Sequence, residues 1–258
     1  MDIRDFNMDF FSLKGKNAIV TGGNTGLGQA FALALAKAGA NLFVPSIMPD
    51  SAATKDLIEA QGVKYEYMQT DITAEGTSRK IIRACLQQFG SLDILVNNAG
   101  ICINAEVDQF GREPWDKMVR INLTAVFELS HEAAKVMIPQ KQGKIINICS
   151  LFSYLGGQLS PAYAATKHGL AGFTKAYCDE LAQYNIQVNG IAPGYYATEL
   201  TEGTRNDPVR NQRVLDHIPA NRWGQTQDLM GAVVFLASSA SDYVNGHILT
   251  VDGGYLVR

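Results

Sequence analysis

Short apolar runs alternate with longer stretches of mixed polarity along almost the whole chain. The runs at 17–21, 41–46, 64–70, 92–97, 144–149, 186–191 and 247–251 predict strands. Between them, apolar positions recur at helical spacing and predict helices at about 27–38, 52–61, 77–89, 115–137 and 227–237, with another carrying Tyr163 and Lys167. Several strands are apolar on both faces, as a parallel sheet requires when helices cover each side. The alternation therefore predicts an α/β fold, a single doubly wound domain.

No linker-like stretch, internal repeat or low-complexity segment divides the 258 residues. Residues 1–12 read as an N-terminal arm and 13–258 as a dinucleotide-binding and catalytic domain. One region, 195–222, interrupts the pattern with acids, arginines and prolines. In an open α/β sheet, ligands sit beyond the carboxyl ends of the strands. A segment following the 186–191 strand falls beside that place and is expected to act as a substrate lid.

Composition narrows the partners. A chain of this size can bury roughly 70–75% of its unfolded surface. The formal charge of −3 and pI near 5.8 supply no basic field for nucleic acid, and lysines and arginines form no patch. No run of apolar residues is long enough for a membrane span, and the first residues mix acids with aromatics rather than forming a secretory leader. A cytoplasmic location is expected. Cys85, Cys102, Cys149 and Cys178 are far apart and lack clustered histidines, so no metal site is expected and free thiols are.

Candidate chemistry lies at two places. Thr21-Gly22-Gly23-Asn24-Thr25-Gly26-Leu27-Gly28 follows the first strand and opens into a helix. Glycines let the backbone turn tightly against a pyrophosphate, and the helix start offers it free N–H groups and a positive dipole end. Further on, Tyr163 and Lys167 stand four residues apart behind Ser160-Pro161, a plausible N-cap and first-turn proline, with Ser150 thirteen residues before the tyrosine. That spacing puts phenol and ammonium on one helix face. A tyrosine, ordinarily near pKa ~10, becomes a usable base only if a cation favours its phenolate.

The glycine spacing is Gly-x-x-x-Gly-x-Gly. With Asn97-Asn98-Ala99-Gly100, Asn122, Ser150, Tyr163, Lys167 and Pro193-Gly194 in register, the chain resembles the short-chain dehydrogenase/reductase family from about Leu13 to its C-terminus. The resemblance implies a Rossmann-type seven-stranded parallel sheet of order 3-2-1-4-5-6-7 and a homotetramer. It implies Tyr163 as catalytic acid/base and Lys167 as the group that lowers its pKa and bonds the nicotinamide ribose. Ser150 would hold the reacting oxygen, and Asn122 would help position Lys167 through a water. Around the cofactor, Gly22, Asn24, Thr25, Gly26, Leu27 and Gly28 would cradle the pyrophosphate. Asp71, Ile72, Asn98, Ala99 and Gly100 would flank the adenosine; Pro193, Gly194, Tyr196 and Thr198 would line the nicotinamide.

Choice of coenzyme falls at the end of the second strand, where an acid would bond the ribose 2′-OH and an arginine would accept a 2′-phosphate. Ser46 and Ile47 stand there, and no cation occurs in Asn24-Thr25. NAD is expected, with NADP not excluded. The stretch 218–245 further resembles the sugar-acid branch of 2-dehydro-3-deoxy-D-gluconate 5-dehydrogenases, also named 2-deoxy-D-gluconate 3-dehydrogenases, with gluconate 5-dehydrogenases as neighbours. A sugar acid needs a cation for its carboxylate, ideally a bidentate arginine, and Arg205 and Arg210 in the lid are the candidates. Against this, Ile103, Asn104 and Leu159 stand where that branch carries basic residues. The alternatives are a polyol or ketone reductase of the same family and a catalytically silent dinucleotide-binding module.

Overall fold

The computed structural model describes residues 3–258; Met1 and Asp2 of the expected arm lie outside the described residues. Seven parallel strands form one sheet: β1 (Asn17–Val20), β2 (Asn41–Ser46), β3 (Tyr65–Gln69), β4 (Ile94–Asn97), β5 (Gly143–Ile148), β6 (Ile186–Pro193) and β7 (Ile248–Val251). Their order is β3-β2-β1-β4-β5-β6-β7, as the family resemblance implied. The chain reverses direction across the sheet between β1 and β4, which creates a crevice at their carboxyl ends.

Successive strand residues face opposite layers. Ala18, Val20, Leu42, Val44 and Val96 join a cluster with α1 (Gly26–Lys37) and a helix near the C-terminus (Met230–Ala237). Ile19, Phe43, Leu95, Ile145 and Val188 join the other cluster, facing helices at Thr77–Phe89 and Ala125–Gln140. That is why these strands are apolar throughout. Each fully buried Leu, Ile or Phe contributes about 1.5–3 kcal/mol. An exposed ion pair such as Lys55–Glu59 contributes about 0–1 kcal/mol, so the two clusters and not surface charges hold the sheet.

In chain order the helices are α1, α2 (Ala52–Glu59), α3 (Thr77–Phe89), α4 (Arg112–Val119), α5 (Ala125–Gln140), α6 (Pro161–Leu181), α7 (Glu202–Arg205), α8 (Pro208–His217) and α9 (Met230–Ala237). Two expectations change. The predicted helix at 115–137 is α4 and α5 joined by a π-helical turn, Arg120–Thr124. The widened turn brings the Asn122 carboxamide against the Ile101 backbone, accepting from its N–H at 2.9 Å and donating to its C=O at 2.8 Å. The irregular stretch 195–222 holds two helices. Asp207 caps α8, accepting from Val209 and Arg210 N–H, and Pro208 occupies its first turn.

Before β1, Ile3–Asp5 and Met8–Phe11 form short 3-10 turns, and the Phe10 carbonyl accepts from Ser239 Oγ at 3.0 Å. Among the described residues no helix is long and apolar enough to cross a membrane.

Candidate active site

The glycine turn sits at the carboxyl end of β1, in the crevice. Gly22 has a positive φ of 63°, and its N–H donates to the Pro45 carbonyl at the end of β2 at 2.8 Å. A Cβ on Gly28 would lie 2.1 Å from the Gly22 carbonyl oxygen and 2.5 Å from Asn98 Nδ2, so no side chain fits there. Thr25, extended before α1, makes no side-chain cap bond. The first N–H groups of α1 thus have no side-chain acceptor of that kind, and a helix start in this condition suits an anion. Asn24 is 4% exposed; its Nδ2 donates to the Met48 and Pro49 carbonyls, and its Oδ1 is a buried acceptor without a protein partner. These residues fit a dinucleotide.

Thr21, the first residue of the glycine turn, joins the two sides of the crevice. Its Oγ1 accepts from both Asn98 and Ala99 N–H at 2.9 Å, while Asn98 Nδ2 donates to the Thr21 carbonyl at 2.9 Å. Gly100 lies close to Asn122: a Cβ there would be 3.2 Å from Asn122 Oδ1. Asn98, Ala99 and Gly100 therefore border the same crevice as Gly22 and Gly28.

Ser150, Tyr163 and Lys167 converge at the carboxyl end of β5. Lys167 is 5% exposed, and its Nζ donates to the Ile148 carbonyl at 2.6 Å while lying 5.5 Å from the Tyr163 ring centroid. Burial holds the Lys167 ammonium below its ordinary pKa. Tyr163 is half-buried, with the Phe152 ring set edge-on against it at 5.8 Å. Burial pushes its phenol up to about 12, and the hydrogen bond with Ser150 pulls the other way. The expected lowering by Lys167 is thus not achieved by these side chains alone. Asn122, 1% exposed, engages Ile101 and donates to Thr166 Oγ1 at 3.4 Å, whose own hydroxyl bonds the Tyr163 carbonyl.

Ser160 stands before α6 as expected, but its hydroxyl makes no cap bond. It donates instead to the Ile103 carbonyl at 2.8 Å and accepts from Cys102 Sγ at 3.6 Å, tying the catalytic helix to the loop after β4. The same two loops meet again where Ala105 N–H donates to Leu159, whose φ is 64°. All four cysteines are free thiols, and Cys102 is partly buried, with its Sγ donating to Asn104 Oδ1 at 3.5 Å as well as to Ser160.

The remaining candidates divide. Pro193 ends β6, and Gly194 packs so tightly on Asp252 that a Cβ would lie 2.6 Å from its Cα. Thr198 caps the following turn, and its carbonyl accepts from Arg205 Nη2 at 2.9 Å. Tyr196 is buried over Gly224 and donates its hydroxyl to the Val251 carbonyl at 2.9 Å. Its neighbour Tyr195, which spacing alone did not single out, packs on Trp223 and Tyr255. Asp71 is exposed and caps its own turn, accepting from Thr73 N–H and Oγ1, while Ile72 packs on the core. Ser46 is buried with its hydroxyl accepting from Met48 N–H, and Ile47 is exposed. Arg205 Nε is buried without a protein partner, whereas Arg210 lies at the surface paired with Asp207 at 3.4 Å.

Comparison with known proteins places this geometry in context. A family model described as Enoyl-(Acyl carrier protein) reductase matches residues 22–256. The chain is 75% identical over 253 residues to the uncharacterized oxidoreductase YgcW of Escherichia coli, covering 98% of this chain and 97% of that one. It is 48% identical over 250 residues to the 2-dehydro-3-deoxy-D-gluconate 5-dehydrogenase of Bacillus subtilis, covering 97% and 98%. Among solved structures, a gluconate 5-dehydrogenase from Burkholderia cenocepacia in complex with NADP and tartrate superposes with a TM-score of 0.92 at 39% identity, covering 97% and 98%. With the strand order, the glycine turn and the Ser150, Tyr163 and Lys167 constellation already described, the chain belongs to the short-chain dehydrogenase/reductase family.

Proposed function

We propose that the protein is an NAD-linked oxidoreductase acting on a secondary hydroxyl or ketone of a sugar acid, of the 2-dehydro-3-deoxy-D-gluconate or 2-deoxy-D-gluconate type. The observation that carries this reading is the convergence of Ser150, Tyr163 and Lys167 at the strand ends, beside the crevice that holds the glycine turn. Nicotinamide supplies the hydride acceptor and, when oxidised, a positive ring that favours a nearby phenolate. Tyr163 takes the proton released from the substrate hydroxyl, and Ser150 hydrogen-bonds the oxygen that bears it. Lys167, fixed on the Ile148 carbonyl, holds positive charge beside that phenol. Asn122 keeps the Ile101 loop in place.

Preference for NAD rests on charge. Asn24, Thr25, Ser46, Ile47 and Met48 are all neutral, and the charge this corner does carry is negative. Asp50 accepts from Tyr65 Oη at 2.8 Å and is felt by Tyr67, whose hydroxyl bonds the Met48 carbonyl. A 2′-phosphate would meet no cation among Asn24, Thr25, Ser46, Ile47 and Met48. The substrate's acid group is assigned to Arg205, whose buried Nε has capacity for one more acceptor. A neutral polyol or ketone is the second reading, favoured by the absence of charge at Cys102, Ile103, Asn104 and Leu159 around the mouth. A cytoplasmic homotetramer with a lid at 195–222 completes the proposal.

The test assays NADH and NADPH against a panel of sugar acids, polyols and ketones, with Tyr163→Phe as control. Tyr163→Phe is expected to lower kcat about 10²–10⁴-fold while leaving coenzyme affinity within about twofold. A wild-type rate in that variant refutes the site, and a higher kcat/KM with NADPH refutes the coenzyme assignment.

A further inference from the structure

Ser153 is buried three residues beyond Ser150, and its hydroxyl joins two parts of the site that the chain does not otherwise connect there. Its Oγ accepts from the Ser150 N–H at 3.3 Å and donates to the Lys167 carbonyl, on the catalytic helix, at 2.9 Å. Its own N–H returns to the Ser150 carbonyl at 2.9 Å. Lys167 is therefore held at both ends, by its ammonium on Ile148 at the end of β5 and by its carbonyl on Ser153. The Ser150 side chain is fixed in the same turn, accepting from Phe152 N–H at 3.2 Å.

We propose that Ser153 is a positioning residue for catalysis: its hydroxyl is the strut that fixes Ser150 relative to the helix carrying Tyr163 and Lys167. The inference rests on the functional reading above. Without the strut, the backbone of the Ser150 turn loses its hydrogen-bonded tie to α6, leaving the Ser150–Tyr163 contact and the Lys167 ammonium on Ile148 to hold the two together, and Ser150 no longer meets the phenol at a fixed distance. Because charge-assisted hydrogen bonds are strong only in good geometry, Ser150 then favours the phenolate less. The titratable groups facing Tyr163 are Lys167 on its own helix, Cys149 at the end of β5 and Cys102 in the loop after β4. Both thiols are held protonated by burial, which leaves Ser150 as the neutral donor through which the strut acts.

Oxidation needs the deprotonated phenol, so its rate rises with pH through the phenol's apparent pKa, and a weaker Ser150 contact moves that rise to higher pH. In the full-length protein, Ser153→Ala is expected to lower kcat about tenfold at neutral pH. The rising limb should move up by about half a unit or more, with coenzyme affinity by fluorescence unchanged. Ser153→Cys, with a weaker donor of similar size, should fall between. Thr174→Ala is the structural comparator: its buried hydroxyl donates to the Leu170 carbonyl at 2.8 Å and accepts from Asn147 at 2.9 Å, two turns further along α6. It should lower Tm and leave the pH profile in place. A Ser153→Ala variant with wild-type kcat and pH profile overturns the strut, whatever its Tm; should that variant fail to fold, the same result in Ser153→Cys overturns it. An active Tyr163→Phe would instead remove the functional reading beneath it.

Discussion

Tyr163 shows how two effects on one residue compete. The four-residue spacing to Lys167 correctly puts phenol and ammonium on one face, and from that alone a lowered phenol pKa follows. Burial prevails, with the Ser150 hydrogen bond as the opposing effect: the phenol is pushed up to about 12, which favours the neutral form by about 3 kcal/mol. The sign fixes a prediction. A group whose folded pKa is raised contributes stability that is complete below its unfolded value, near ~10, and is lost as pH rises through about 12. Ultraviolet titration of the protein without coenzyme, wild type minus Tyr163→Phe, should show this tyrosine un-ionised at pH values where free tyrosine is half ionised. Ionisation below that point would mean that Lys167 dominates after all. Other single residues were legible only in part. Sequence position marked Ser160 as a cap, and the family resemblance implied Tyr196 as a cofactor contact; sequence fixes which face a side chain occupies. It does not fix which carbonyl a hydroxyl will choose, and these two chose Ile103 and Val251.

Elements were easier to read than their joints. Every predicted strand is present, since two-sided burial leaves an uninterrupted apolar run, and β2 has the predicted bounds. The α4–α5 break was hidden because apolar positions continue through the π-helical turn that places Asn122. The lid helices α7 and α8 are short and polar, so their periodicity is weak; the legible signal was Asp207-Pro208, a cap followed by a first-turn proline. Arg205 links α7 to the loop after β6 through the Thr198 carbonyl, so it acts on the lid as well as offering Nε to an acid group. Arg205→Ala should raise KM for a sugar acid about tenfold or more, as expected for a lost charge-assisted hydrogen bond, and change neutral polyols little. Arg205→Lys should rescue only part of it, since an ammonium keeps the charge and loses the planar fork. Equal KM for acid and polyol in both variants would place the carboxylate elsewhere.

The whole molecule presents a surface whose composition bears on its assembly. The sheet buries both faces within the chain, yet aromatic side chains remain outside on α4, α5 and α6. Phe127 is 46% exposed and Trp115 37%, and Phe127 and Phe173 meet edge to face at 6.3 Å with Tyr177 packed 4.2 Å beyond. Aromatic residues left together on outer helix faces are the composition of an interface core. A two-fold contact there would set α5 and α6 of one copy against the same helices of another, and a second two-fold axis elsewhere would close a tetramer. These helices carry Tyr163 and Lys167 and adjoin Asn122, so an interface along them would also stiffen the site. Light scattering of the purified chain should give about four times 28.0 kDa. Phe127→Glu, which places a charge in the middle of the aromatic face, should shift the protein to smaller species and reduce kcat together with Tm. A wild-type chain that stays at 28.0 kDa across micromolar concentrations would show that these aromatics serve the monomer alone.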